Sequence, residues 1–376
     1  MTIPFIDLKA QYKLVDEAVK KGIDGVLEHG AYVMGPEIGA LESHLASFSD
    51  VKHGVGCGSG TDALIMALMA LGIGPGDAVF TTPFTFMATA EAIALLGATP
   101  VFVDIDPITF NIDPDDLRKK IGEIKDKRKD LKPKGVISVD LFGQPADYDR
   151  IEPLAHNNGL FLIVDAAQSF GATYQGKPVC SFGDVACTSF FPAKPLGCYG
   201  DGGMVFAQND ELHKLLVSVR VHGMGEDKYE NVRLGINGRL DSMQAAVLLA
   251  KFEIFPDEVI KRQQVAARYG ALLNDVDGLT TPSVPEGNTS VWAQYSVLAT
   301  DSDHREELMG KLKENNIPCV IYYPKALHLQ KAFANLGHVM GDFPVCENIS
   351  SRIFSLPMYP YLKAEDQETI ASVLKG

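Results

Sequence analysis

Residues 189–203 read SFFPAKPLGCYGDGG. Lysine is ordinarily a surface residue, yet Lys194 stands between Pro192 and Pro195, behind two phenylalanines and ahead of a glycine-rich run. A lysine confined in this way is desolvated, which disfavours its ammonium form and lowers its pKa. The neutral amine is a nucleophile that forms Schiff bases with carbonyl compounds. Three further stretches carry chemistry of their own. In LFLIVDAAQSFGA (160–172) an apolar run delivers Asp165 to the end of a buried strand, and a buried carboxylate needs a partner. That partner is either the start of a following helix or the protonated ring nitrogen of a cofactor, with Gln168 placed to bond another ring substituent. In VGCGSGTDAL (55–64) the residues Gly58, Ser59, Gly60 and Thr61 turn directly into a helix. Backbone N–H groups and the helix dipole attract phosphate at such a turn, although glycine turns of this kind are as often purely structural. In TTPFTFMATAEA (81–92) Phe84 and Phe86 stand at a strand-to-helix turn, either in the core or as a stacking surface for a flat ligand.

A phosphate cradle, an acid for a pyridine nitrogen, an aromatic surface and a Schiff-base lysine are the requirements of one cofactor, pyridoxal 5′-phosphate. Each signal is unspecific alone. Their occurrence together, in this chain order, is specific.

The elements that must position these residues follow from the pattern of apolar runs. HGVGC, DAVFTT (77–82), TPVFVDID (99–106), KGVISVDLFG (134–143) and GLFLIVDAAQ (159–168) read as strands. TDALIMALMALG (61–72), TFMATAEAIALLG (85–97) and ADYDRIEPLAHNNG (146–159) read as helices between them. Short, fully apolar strands alternating with helices predict a largely parallel sheet covered on both faces, with ligands bound at the C-terminal ends of its strands. Beyond residue 240 two long helices, a strand candidate over 290–300, a helix over 304–316 and a closing helix over 364–375 predict a smaller α+β lobe. The 376 residues are 46% hydrophobic and 22% charged, which suits a folded chain of two lobes. A net charge of −14 argues against nucleic acid as a partner. The mixed-charge stretch 119–134 reads as a solvated surface segment. No run reaches the length of a membrane span, and MTIPFIDLKAQY lacks the pattern of a secretory leader. Six cysteines without a CxxC pair read as reduced thiols of a cytoplasmic protein. The histidines lack metal-ligand spacing, and no metal site is expected.

The lysine stretch resembles the motif S-F-x-P-x-K-x-L-G-x-x-G-D-G-G of the DegT/DnrJ/EryC1/StrS sugar aminotransferases. IPFIDLKAQY (3–12), GPEIGALE (35–42), SGTDAL (59–64), TTPFTFMATAEA, LFGQPADYD (141–149), VDAAQSFGA (164–172), GINGRLDSMQAA (235–246) and SLPMYPYL (355–362) match in the same order. The resemblance spans essentially the whole chain. It implies an α/β fold of the aspartate aminotransferase type, pyridoxal-phosphate fold type I. A large cofactor-binding domain over 1–250 would be followed by a small C-terminal domain over 251–376, in a homodimer with shared active sites. By the same resemblance Lys194 is the Schiff-base lysine, Asp165 the pyridinium partner, and Phe86 the aromatic on the ring. Gly60, Thr61 and Ser189 are phosphate ligands, and Gln168 lies beside the ring hydroxyl. Asn237 reaches the phosphate of the neighbouring subunit, and Arg239 belongs to that subunit's substrate site. ACTSFFPAKPLGCYGDGG and RLDSMQAAVLLAKFEIF are most similar to the subgroup acting on UDP-2-acetamido-2-deoxy-3-oxo-glucuronate, where Arg239 is a candidate for gripping the substrate carboxylate. The family often has His-Tyr where this chain has Tyr322-Tyr323, so Tyr322 replaces a histidine contact. Tyr323, Lys325 and His328 are further substrate candidates.

The reaction so implied is a two-stage transamination. Glutamate gives its amine to the cofactor, with Lys194 as proton carrier. The resulting pyridoxamine 5′-phosphate (PMP) passes the amine to a keto sugar held by its nucleotide, for polysaccharide or O-antigen biosynthesis. The alternatives are a 4-keto or dTDP-linked substrate, a sugar dehydratase of the same fold, a nicotinamide-dependent dehydrogenase and a non-catalytic regulator. Lys194 speaks against the dehydratase, which carries histidine there, and GCGSGTD lacks the GxGxxG of the dehydrogenase.

Overall fold

The alternating pattern folds as expected in the computed structural model, which describes residues 3–227 and 229–376; Met1, Thr2 and Lys228 lie outside the described residues. The chain begins with α1 (Leu8–His29) and α2 (Pro36–Phe48). It continues through β1 (His53–Cys57), α3 (Gly60–Ala70), β2 (Asp77–Thr81), α4 (Met87–Leu95), β3 (Thr99–Phe102) and α5 (Pro114–Lys127). Then come β4 (Lys132–Val139), α6 (Tyr148–Asn157), β5 (Phe161–Asp165) and a small ribbon of β6 (Thr173–Tyr174) and β7 (Lys177–Pro178). The series closes with β8 (Val185–Ser189), β9 (Gly203–Ala207) and α7 (Asp210–Arg220).

Seven of these strands form one sheet in the order β1-β9-β8-β5-β4-β2-β3. β9 runs antiparallel to both of its neighbours, and every other pair is parallel. All strands but β9 therefore end at the same edge. Successive side chains of a strand point to opposite faces, and here both faces are apolar. Ala78, Phe80, Val136, Leu162, Val164, Ala186 and Phe206 join one buried cluster with residues of α2, α5, α6 and α8 (Ser242–Phe252). Val79, Ile137, Ile163, Val185 and Val205 join another with residues of α3, α4 and α7. This two-sided burial is why the strands read as unbroken apolar runs rather than alternating ones.

The remainder comprises α9 (Phe255–Leu273), β10 (Tyr295–Leu298), α10 (Ser302–Glu314), α11 (Pro344–Arg352), β11 (Ile353–Leu356) and α12 (Ala364–Lys375). β10 and β11 pair antiparallel. Tyr269, Val297, Leu312, Phe354 and Ile370 centre a separate core, which Ile3 from the start of the chain enters. The strand expected over 290–300 is confined to four residues. The stretch expected to be solvated is only partly so: α5 covers 114–127, and Leu117, Ile121 and Ile124 are buried while Lys119, Lys125 and Lys127 face outward. The spacing of those three residues is a helical stripe that the dense charge obscures. Among the described residues no helix is long and apolar enough to cross a membrane.

Phe170, directly beyond β5, ties the sheet to the helices. Its ring stacks on Phe206 at 5.8 Å and on Phe255 at 5.6 Å, and it is 2% exposed. Phe170→Ala is expected to lower stability by about 3–5 kcal/mol, read as a drop in the urea midpoint at unchanged slope.

Candidate active site

Asp165 ends β5 and is 5% exposed. Its Oδ2 accepts a hydrogen bond from Thr89 Oγ1 at 2.8 Å, and its Oδ1 accepts one from the Ala167 N–H at 3.2 Å. Thr89 lies in the first turn of α4, and its hydroxyl is paired in turn with that of Thr85 at 3.1 Å. Burial pushes the Asp165 carboxyl above its ordinary value, while Thr89, Ala167 and Lys194 pull it back down. Lys194 sits in the loop after β8, where its N–H donates to the Phe191 carbonyl at 2.8 Å. The residue keeps part of its surface open to solvent, yet the packing around its amine is dense. Burial pulls its ammonium below the ordinary value, and Asp165 opposes that shift through space. The structure thus places the two residues singled out from the sequence at one edge of the sheet, each acting on the other's charge.

The glycine turn meets this pair from the β1 side. Ser59 caps α3, its Oγ accepting from the Asp62 N–H at 3.0 Å. Gly60 packs so closely on the end of β8 that a Cβ there would lie 2.7 Å from Ser189 Cβ. A Cβ on Gly203 of β9 would lie 2.4 Å from the Ser59 carbonyl oxygen. Gly60, Thr61 and Ser189 are therefore neighbours across the sheet edge, at the N-terminal end of a helix. Phe84 and Phe86 part company: Phe84 is fully buried, edge-on to Phe110, Phe142 and Tyr323. Phe86 is the N-cap of α4 and is 58% exposed, one turn from Thr89.

Gln168 is buried and bonded at both ends of its amide. Its Oε1 accepts from the Phe142 N–H at 2.7 Å, and its Nε2 donates to the Tyr323 hydroxyl at 3.2 Å. Phe142 directs its N–H there from a left-handed conformation, φ 61°, which costs a non-glycine residue about 1–3 kcal/mol. The turn is held by Asp140, which the sequence analysis passed over. Asp140 is fully buried and accepts from Tyr148 Oη at 2.5 Å, Ala146 N–H at 2.8 Å and Ser169 Oγ at 2.8 Å. Burial pushes its carboxyl up to about 7 against those three hydrogen bonds. GVISVD ends an apolar strand in an acid just as LFLIVD does, so the signal that singled out Asp165 was present twice. Thr89 carried no comparable signal, because a threonine in a helical run is unremarkable until its partner is known.

The remaining candidates divide. Tyr323 belongs to the floor through Gln168, and burial raises its phenol. Tyr322 is half-buried beside Phe5, with ring centroids 6.4 Å apart. Lys325 is exposed. His328, expected at the substrate, is instead enclosed: it is 1% exposed, packs 4.7 Å from Phe343, and pairs through Nε2 with Glu347 Oε1 at 3.0 Å. It lies in a tight turn whose Leu327 N–H donates to the Pro83 carbonyl at 2.8 Å, which turns the imidazole inward to α11. Asn237 is exposed and Arg239 half-exposed, on an extended segment that bridges Val221 and Cys57. Among the described residues no hydrogen bond joins either side chain to Lys194 or Asp165.

The chain is 46% identical over 372 residues to the UDP-2-acetamido-2-deoxy-3-oxo-D-glucuronate aminotransferase of Pseudomonas aeruginosa, covering 99% of each. It superposes on the crystal structure of a DegT DnrJ EryC1 StrS aminotransferase from Brucella abortus with a TM-score of 0.96 at 48% identity, covering 100% of this chain and 99% of that one. NtdA from Bacillus subtilis, solved with bound cofactor PMP, matches with a TM-score of 0.90 at 28% identity over 100% of this chain and 86% of that one. Residues 13–375 match one family throughout, and the chain belongs to the DegT/DnrJ/EryC1/StrS aminotransferase family.

Proposed function

We propose that this aminotransferase uses pyridoxal 5′-phosphate to move an amino group from glutamate to the ketone of a nucleotide-linked sugar, a UDP-linked 3-keto hexose or hexuronic acid. The observation that carries the reading is the desolvated amine of Lys194 and the buried carboxylate of Asp165 acting on each other at the sheet edge. Relatives of the chain support it: NtdA was solved with PMP, and the Pseudomonas relative is named for a 3-oxo-glucuronate sugar nucleotide.

The residues present fit the cofactor. The close contact of Gly60 with Ser189 leaves backbone N–H groups of the α3 terminus and two hydroxyls, from Thr61 and Ser189, to hold a phosphate. Each Asp165 oxygen already accepts one hydrogen bond and retains a lone pair for a ring N–H. Phe86 offers an exposed ring face. Pyridoxal phosphate supplies an aldehyde that takes up amines covalently and a protonated ring that accepts the electron pair left when an α-carbon loses its proton. The chain supplies the rest. Lys194 is desolvated, which favours its neutral amine, the form that would act as nucleophile and then as carrier of the α-proton. Asp165, whose charged form Thr89 and Ala167 support against burial, would hold the ring nitrogen's proton. Gln168 retains one amide proton for the ring hydroxyl.

A second copy of the chain completes the site in this reading. Exposed apolar side chains occupy Tyr32, Val33 and Met34, Phe191 and Tyr199 of the lysine loop, and Val232 and Leu234. Val33 bridges Asp241, two residues beyond Arg239, so this surface adjoins the segment carrying Asn237 and Arg239. Asn237 then reaches the partner's phosphate. Arg239 grips the carboxylate of the partner's sugar through two parallel hydrogen bonds, with Tyr322 and Lys325 as the contacts from the chain's own small lobe. Six free cysteines suit a reducing, cytoplasmic setting.

Five measurements test this. The purified protein with pyridoxal phosphate should absorb in the visible, lose that colour with glutamate, and regain it with a UDP-3-keto sugar but not with dTDP-4-keto sugars. Lys194→Ala should remove the colour and slow turnover by at least about 10²–10⁴-fold; a coloured, active Lys194→Ala protein would refute the assignment. Thr89 lowers the Asp165 pKa, so Thr89→Val should move the acid limb of the kcat/KM profile to higher pH while the alkaline limb stays in place. Finally, light scattering should report twice the chain mass. Mixing inactive Lys194→Ala and Asn237→Ala chains should restore partial activity if each site draws on both subunits.

A further inference from the structure

Lys251 is a buried ionisable group to which the mechanism gives no task. It lies near the end of α8 and is 1% exposed. Its ammonium donates to the carbonyl of Gly197 and stands 5.1 Å from the centroid of the Tyr199 ring. Among the described residues it forms no ion pair. Glu258 on α9 attracts it through space, but the Glu258 oxygens are taken by Gln11 Nε2, at 2.9 Å to each, and by Tyr361 Oη at 2.5 Å. Burial pulls Lys251 down to about 8, and Glu258 and Cys198 pull it back up. A cation held on a carbonyl and a ring face is costly to bury, and a methionine of similar shape would occupy the same space without that cost.

What the cation touches suggests why it is kept. Gly197 is the third residue after Lys194. The intervening loop is folded tightly on itself: the Cys198 N–H donates to the Phe190 carbonyl at 2.8 Å, and the Lys194 N–H to the Phe191 carbonyl at 2.8 Å. Gly197 is pressed against the start of the loop, where a Cβ would lie 2.6 Å from the carbonyl oxygens of both Phe191 and Pro192. The loop is thus closed at its base by its own backbone, and its exit carbonyl is anchored from outside by Lys251. We propose that Lys251 is a positioning residue for Lys194, its ammonium pinning the Gly197 carbonyl and thereby fixing the loop that carries the reactive amine. This rests on Lys194 being the amine that takes up pyridoxal phosphate.

The test is Lys251→Met, with Lys251→Arg as the charge-conserving control. Two quantities are read on apoprotein: the thermal midpoint, and the rate at which pyridoxal phosphate is captured at Lys194, followed by absorbance and by borohydride trapping with peptide mapping. Removing a costly buried charge should leave the Met variant at least as heat-stable as wild type. Capture should slow by about tenfold or more, since small displacements of a reacting group are that expensive. kcat should fall in step while the KM for glutamate is unchanged, and the Arg variant should capture faster than the Met variant. A Met variant with wild-type capture and turnover overturns the proposal. So does one that aggregates or melts early, because Lys251 would then serve packing alone. A wild-type protein that captures nothing at Lys194 would defeat the functional reading instead.

Discussion

A carboxylate and an amine, both largely stripped of water, share the edge where the parallel strands end, and the structure is arranged around keeping them so. Burial alone would neutralise both: it raises the acid and depresses the base. Each favours the charged form of the other, and Asp165 has two further donors, Thr89 and Ala167, to hold its charge. Lys194 has no comparable support from the described residues, so its amine is the group left free to change protonation state. The difference in their surroundings separates the carboxylate, whose charge has hydrogen-bond support, from the amine, whose charge has none among the described residues.

The second layer consists of clamps rather than reactants. Asp140 binds the turn after β4 to Ser169, one residue beyond Gln168. The same turn donates Phe142 N–H to Gln168, and the Gly143 carbonyl accepts from the Val291 N–H at 3.1 Å. Tyr323 closes on Gln168 from the opposite side. Two distant stretches of chain therefore meet on one glutamine amide and fix which way it faces. Such convergence is what precise placement of a ring substituent demands.

Much of this was legible beforehand because the relevant residue types are conspicuous in apolar surroundings. Asp165 and Lys194 stood out for that reason, and the strands did because both faces of the sheet are buried. What was hidden depended on partners far away in the chain. Whether Phe84 or Phe86 faces solvent is decided by the direction of a turn, not by composition. His328 sits in a loop that reads as a contact surface, and only Glu347, reached when α11 folds against it, draws the ring inside. Asp140 carried the same mark as Asp165 and differs in being claimed by three hydrogen-bond donors, while Asp165 has two and faces Lys194. The charges of α5 outnumbered its three buried apolar residues and masked the stripe they form.

The start of the described chain has a different consequence. Ile3 is packed among residues drawn from 265–374, and the Phe5 carbonyl accepts from the Met358 N–H at 3.3 Å. During synthesis the chain emerges from its beginning, and domains generally fold as they appear. The segment around Ile3 and Phe5 is made well before the residues that seat it, which lie about 260 to 370 positions later. It must wait, unpacked, for those helices and strands, so its docking is a late event in folding.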